Sequence, residues 1–220
     1  MQYLVLQERI IGAKDWATLL FVFCFAVVAV NKSVFEARFA EFIKLGFSDK
    51  YTKIYKDTSN LLSWFTISFF FVQVISYSFL LQFVLSYFNL VKSGGISFIQ
   101  LFTVVAFFIL AKFLIEKIIA TAFSIEEFSE QFNLHKVNYR AYIGLLLLPI
   151  NVILFYNIAP TRILLYLILA IIIAATVISY LVSLRIYQKL ILAKLFYFIL
   201  YLCALEIAPY YFMYYWFTNS

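Results

Sequence analysis

The sequence predicts an all-α membrane protein of six transmembrane helices, with both termini outside the cytoplasm and an amphipathic helix in the first cytoplasmic loop. Three observations carry that prediction. Six stretches of the 220 residues are long and apolar enough to cross a bilayer. Most of the 17 Lys and Arg gather in alternate gaps between these stretches. Runs such as 163–182 lack the polar/apolar alternation, over about ten positions, that marks a transmembrane barrel strand.

Composition sets the solvent. The chain is 65% hydrophobic and 13% charged, with a mean hydropathy of +0.97, whereas soluble domains run about 45–50% apolar and about 25% charged. A spanning helix needs about 20 apolar residues, because the hydrocarbon layer is roughly 30 Å thick and each residue rises about 1.5 Å. The six candidates are Trp16–Val30, Leu61–Val91, Ile96–Ile115, Tyr142–Asn157, Ile163–Leu184 and Ile191–Phe217, together forming one polytopic domain over residues 1–220. The gaps 31–60, 116–141 and 185–190 are then expected in the cytoplasm.

That side follows from the basic residues. Lys32, Arg38, Lys44, Lys50, Lys53 and Lys56 surround the first cytoplasmic gap, Lys112, Lys117, Lys136 and Arg140 the second, and Arg185, Lys189 and Lys194 the third. Only Arg9, Lys14, Lys92 and Arg162 fall on the opposite side. Thirteen against four is a strong positive-inside bias across short loops. The net charge of +6 then reflects attraction to anionic cytoplasmic headgroups, and no basic patch on a soluble face suggests a nucleic-acid partner. Glu8 and Arg9 precede the first span without a signal-peptide pattern, so that span is expected to be retained. Cys24 and Cys203 fall inside predicted spans, where a thiol packs as a small hydrophobe.

Two gaps are patterned. Ser33 and Glu36 have the spacing of a capping box, in which each side chain bonds the other residue's backbone N–H. Phe35, Phe39, Phe42, Ile43 and Phe47 then lie near one helical face, as in a helix lying in the cytoplasmic interface. Phe35, Phe39, Phe42 and Phe47 are the candidate partner contacts; the plainer alternative is a membrane-parallel connector. In the second gap, Ser124 and Glu127 repeat the capping spacing, and Phe123, Phe128 and Phe132 would cover a short helix, acidic at first and basic at its end. His135 is the only histidine; with no ligand-spaced partners it reads as a surface or interfacial residue, not a metal ligand.

Inside the spans the candidate polar residues are Lys112, Glu116, Asn151 and Glu206. Lys112 is expected to snorkel to the cytoplasmic surface and to pair with Glu116 one turn on. Glu206 is an intramembrane carboxylate if the last helix runs straight, and an interfacial structural group, the favoured case, if Pro209 ends it. Pro149 interrupts the fourth span near Asn151 and Asn157, which bends a helix by removing one backbone bond. The 27 Phe and 17 Tyr suit lipid-facing and interfacial positions and do not by themselves indicate a cavity.

No phosphate-binding glycine loop, zinc motif or nucleophile–base set is present. The chain therefore reads as no enzyme, with no cofactor and no metal.

Three short segments, Asp15-Trp16, Glu36-Ala37-Arg38-Phe39 and Gly144-Leu145-Leu146-Leu147-Leu148-Pro149, resemble a family of small inner-membrane proteins of bacteroidete bacteria, described as a domain of unknown function. The likeness runs from about Arg9 to the C-terminus. It implies an integral membrane protein and, in longer relatives, an exported N-terminal extension, in keeping with an outer N-terminus. It carries no activity, and no catalytic residue transfers.

The expected function is a non-catalytic subunit or assembly factor of a larger membrane complex in the bacterial inner membrane. Its partners would be the lipid bilayer and other membrane proteins. The alternative is a small transporter or proton/ion-coupled carrier using the Pro149 kink and Glu206. The topology is directly testable. A single cysteine at Ser93 or Ser220 should react with an impermeant thiol reagent in cells whose inner membrane is intact, while one at Lys53 stays protected; labelling at Lys53 would overturn the charge-bias assignment.

Overall fold

The computed structural model describes residues 15–46, 50–55, 63–92, 94–122, 126–156 and 162–193, together with 211 and 215. Among them all regular structure is helical: α1 (Asp15–Val34), α2 (Glu36–Ile43), a 3₁₀ turn (Lys44–Gly46), α3 (Lys50–Ile54), α4 (Trp64–Tyr87), α5 (Gly95–Ala122), α6 (Glu126–Tyr156) and α7 (Arg162–Ala193). Five stretches are long and apolar enough to cross a membrane: α1, α4, α5, α6 from Glu130, and Ile163–Ser183 of α7. The sixth expected span, Ile191–Phe217, lies almost wholly outside the described residues.

Local signals set the helix ends. Ser63 caps α4 by accepting from the Thr66 N–H at 3.4 Å. At its other end Asn89 takes φ 57°, and the N–H groups of Asn89 and Leu90 return to the carbonyls of Ser86 and Leu85. That is a Schellman closure, with asparagine at the left-handed position it tolerates best after glycine. Gln82 Nε2 then donates to the Gly94 carbonyl at 2.8 Å, tying the short connection to α4.

α4 and α6 form the centre, with α1 and α5 against α4 and α7 against α6. One side chain's absence permits their approach. A Cβ on Gly144 would lie 2.8 Å from the Gln73 Cα, so any larger residue must push the two helices apart. Nearby Asn151 donates to the Ser76 carbonyl at 2.7 Å. Aromatic clusters fill both ends of the bundle. Phe79 meets Phe21 and Phe98 at 4.4 Å ring spacing beside Trp16 and Phe155, and at the opposite end Phe42 packs on Phe65 and Phe69. Thr18 and Tyr156 share a hydroxyl hydrogen bond that ties α1 to α6.

Several expectations are corrected. Ser33 lies within α1, and the residue preceding α2 is Phe35, whose side chain makes no cap bond. The capping box is absent because Asn31 holds this corner instead, donating to the Val27 carbonyl and accepting from Ser68 Oγ, both at 2.9 Å. Among the described residues the second gap holds no separate short helix: α6 begins at Glu126 and continues through Tyr142 to Tyr156, and Phe132 is buried against Tyr180. No loop occupies 185–190, because α7 runs on to Ala193. The α6 helix also continues through Pro149, which is exposed. Ser124 and Phe123 lie outside the described residues, as does the Phe128 side chain.

The close approach makes a sharp prediction. Gly144→Ala should lower stability by about 1–3 kcal/mol, the usual range for overpacking, while Gly94→Ala, with nothing within 4 Å of its added Cβ, should change little. Equal thermal midpoints for the two variants in detergent would show that α4 and α6 are not in backbone contact there.

Candidate functional site

Helical spacing alone brings one polar stripe from each of three helices together. On α5, Lys112, Glu116, Ala120 and their neighbours Phe113 and Lys117 recur at three- and four-residue intervals, which places them on one face. On α6 the same spacing aligns Glu126, Glu130, Asn133, Val137 and Arg140, and on α4 it aligns Thr66, Phe70 and Gln73. These faces line a partly open cavity of about 700 Å³.

Three of its charges, Lys112, Glu116 and Lys136, are inside the protein. Lys136 Nζ meets Glu116 Oε1 at 3.1 Å, with both side chains at least nine-tenths buried, and the ammonium lies 5.1 Å from the centre of the Phe132 ring. Lys112 is 5% exposed and Gln73 2%. Lys112 therefore does not snorkel as expected, and the partner shown for Glu116 is Lys136 of the neighbouring helix, not Lys112 one turn away. The physical reason is enclosure: α4 and α6 cover the path that an exposed α5 would have left open to the surface.

Arg38 backs this cavity. Its guanidinium donates to Tyr51 Oη at 3.2 Å, Ser63 Oγ at 3.0 Å and Thr66 Oγ1 at 3.3 Å. It also lies 4.6 Å from the Phe65 ring centre and 4.9 Å from that of Tyr55. Among the described residues it pairs with no carboxylate. Planarity explains the choice of arginine, since a fixed fork serves three hydroxyls while its faces lie on aromatic rings. Burial pushes the Tyr51 phenol above its ordinary value, against the opposing pull of Arg38, so the hydroxyl stays protonated and neutral.

The other candidates fall elsewhere. Phe42 is 1% exposed and belongs to the core with Leu45, Tyr51, Phe65 and Phe69. Phe35 and Phe39 are half-buried against the same cluster, while Phe47 and Glu206 lie outside the described residues. Asn151 is buried and engaged with Ser76, away from the cavity. His135 is not at the surface: it is fully buried, with Nδ1 2.6 Å from Ser183 Oγ and its ring stacked on Tyr139 at 4.6 Å. Ser183 Oγ also lies within hydrogen-bond distance of the Ser179 carbonyl, at 3.0 Å, and its contact with His135 ties α6 to α7. No cluster of three or more metal-ligating side chains occurs among the described residues. Cys24 is a buried free thiol.

Sequence reasoning missed Gln73, Asn133, Lys136 and Arg140 as cavity residues. An amide inside a 24-residue apolar helix was the available signal for Gln73. Lys136 and Arg140 gave none while residues 116–141 were read as a loop.

Residues 17–217 match the family described as a domain of unknown function, DUF4271, and the chain belongs to it. No curated protein and no solved structure matches the chain.

The Arg38 fork yields a test. Arg38→Lys keeps the charge but loses most of the fork, so stability in detergent should fall by about 1.5–3 kcal/mol, the range for hydrogen bonds to charged groups. Tyr51→Phe, which removes one hydroxyl, should cost less. An Arg38→Lys protein as stable as the native one would show that the fork contributes nothing.

Proposed function

We propose that this chain is a six-span protein of the bacterial inner membrane, both termini outside, whose cytoplasmic half is hollowed into a binding chamber for a small ligand. One observation carries the proposal: a partly open cavity of about 700 Å³ with Lys112, Glu116 and Lys136 buried in its walls. Ionisable groups within spanning helices are costly, and they mark ligand or ion paths by default. A volume of this size falls in the range of about 300–1,000 Å³ typical of small-molecule sites.

The role of docking subunit, expected from the aromatic face of the Ser33–Phe47 segment, has less support. Phe42 is in the core, while Phe35 and Phe39 are half-buried and Ile43 is exposed. A carrier role keeps its appeal in altered form, because the chamber is built from α4, α5 and α6 while Pro149 faces outward. The assignment to the cytoplasmic half rests on the charge bias across the loops.

Native mass spectrometry of protein released from mild detergent tests the binding role. The native chain should carry a non-covalent adduct. Ala120→Phe places a ring in the cavity at a residue that is 3% exposed; it should lose the adduct while still accumulating in the membrane. Bare native protein in every mild detergent tried would contradict the proposal, as would an adduct that Ala120→Phe retains in full.

A further inference from the structure

The cavity is chemically divided along its length, and the division has a direction. Glu116 bonded to Lys136 fixes the antiparallel register of α5 and α6. Moving four residues away from the α5–α6 connection along each helix, at the same rise of about 1.5 Å per residue, sets Lys112 level with Arg140. About one turn further from the α5–α6 connection the lining becomes apolar, with Ile109 and Leu110, and Phe70 and Phe113 border the transition. Leu110 is 48% exposed, so this apolar end communicates with the outer surface of the bundle beside α5.

The charged end favours an anion. Among the described residues four cations line it, Lys112, Lys117, Lys136 and Arg140, with three carboxylates, Glu116, Glu126 and Glu130. Glu116 is paired with Lys136. Glu126 and Glu130 lie in the first turns of α6, nearest the connection, about three to four turns from the level of Lys112 and Arg140. Arg38 adds a fifth positive charge behind the lining residue Thr66, held there by hydroxyls alone among the described residues. Simple positive-inside anchoring would leave such side chains reaching for water, yet Lys112 and Lys136 are 5% and 6% exposed.

From this layout we infer that the chamber takes an amphiphile with an anionic, phosphate-class head and an apolar chain. The head sits between Lys112, Arg140 and Gln73, and the chain leaves past Leu110 into the bilayer. Such a molecule lies as a lipid of the cytoplasmic leaflet does, head toward the cytoplasm and tail toward the midplane. The inference rests on the binding role proposed above and adds the ligand's chemistry to it. Arginine and lysine suit a phosphate head because they supply several charge-assisted donors in a site of low dielectric.

The test uses full-length protein depleted of lipid by detergent exchange, titrated in mixed micelles with phosphatidylglycerol or with phosphatidylcholine, and separately with glycerol 3-phosphate and inorganic phosphate. Adduct population in native mass spectrometry and the thermal midpoint are read together. Phosphatidylglycerol should bind about tenfold or more tightly than phosphatidylcholine, since one charge-assisted contact of this kind is worth that factor. The soluble phosphates should bind far more weakly than the lipid. Lys112→Gln and Arg140→Gln should each remove most of the preference. Lys117→Gln, at an exposed lining position that folding tolerates, should reduce it partly, and Lys32→Gln, exposed and outside the cavity, should leave it unchanged.

Equal affinity for the two lipids, or a preference that survives both Lys112→Gln and Arg140→Gln, would overturn the inference. Soluble phosphate binding as tightly as the lipid would overturn the amphiphile and leave a free anion as the ligand. An adduct identified as a neutral or cationic molecule, displaced by Ala120→Phe, would defeat the anion inference while the binding role stands. No adduct of any kind defeats both.

Discussion

Inside a bilayer no water is available to a polar group, so those buried in this chain find partners in their own helix, as Ser78 does at the Val74 carbonyl, or in another one, as Asn151 does at Ser76. The structure is organised around meeting that constraint at the α4–α6 contact. Gly144 lets the two backbones approach at Gln73, and Asn151 uses the approach to reach the Ser76 carbonyl. Once α4 and α6 are fixed, α5 is placed by Gln82 on one side and by the Glu116–Lys136 pair on the other. Van der Waals contact through small residues is the usual means of helix association in lipid, where burying apolar surface supplies little drive.

The ion pair is not explained by stability alone. Replacing a buried pair with well-packed apolar side chains is often neutral or stabilising, because desolvation offsets the Coulombic gain. Keeping Glu116 and Lys136, with Lys112 nearby, makes better sense if the cavity they line holds something charged. Arg38 has the same character. Its hydroxyl partners and aromatic faces satisfy its donors without cancelling its charge, so the positive potential is preserved at the wall of the chamber. Lys136 lying over Phe132 and Arg38 over Phe65 and Tyr55 show how the many aromatic residues serve here: they accommodate cations that have been taken out of water.

Apolar runs and basic gaps were enough to read the helical membrane class and to place the cores of the first five spans, because both depend on local composition. The family likeness was also legible, from short segments of which Glu36-Ala37-Arg38-Phe39 and Gly144-Leu145-Leu146-Leu147-Leu148-Pro149 fall within the matched region. Partnership was not legible. Lys112 and Glu116 stand one turn apart and invite pairing along α5, yet Lys136 comes from a stretch that looks like a loop by composition and is helical because tertiary contacts hold it. Likewise, Phe35, Phe39 and Phe42 form the face that periodicity indicates, but what that face meets is Phe65 and Phe69 of α4, a contact no window of sequence contains. His135 is buried for the same reason, through Ser183 of α7.

The central claim is that α5 is joined to α6 across the cavity by a specific pairing of Glu116 with Lys136, and a charge exchange tests it most directly. Glu116→Lys and Lys136→Glu each leave like charges facing one another in a buried site. Either should lower detergent stability by about 3–5 kcal/mol, as the breaking of a buried pair does. Combining the two restores opposite charges in reversed positions and should recover most of the loss in thermal midpoint and membrane accumulation. A double variant as unstable as the sum of the single ones, or single variants as stable as the native protein, would contradict the account.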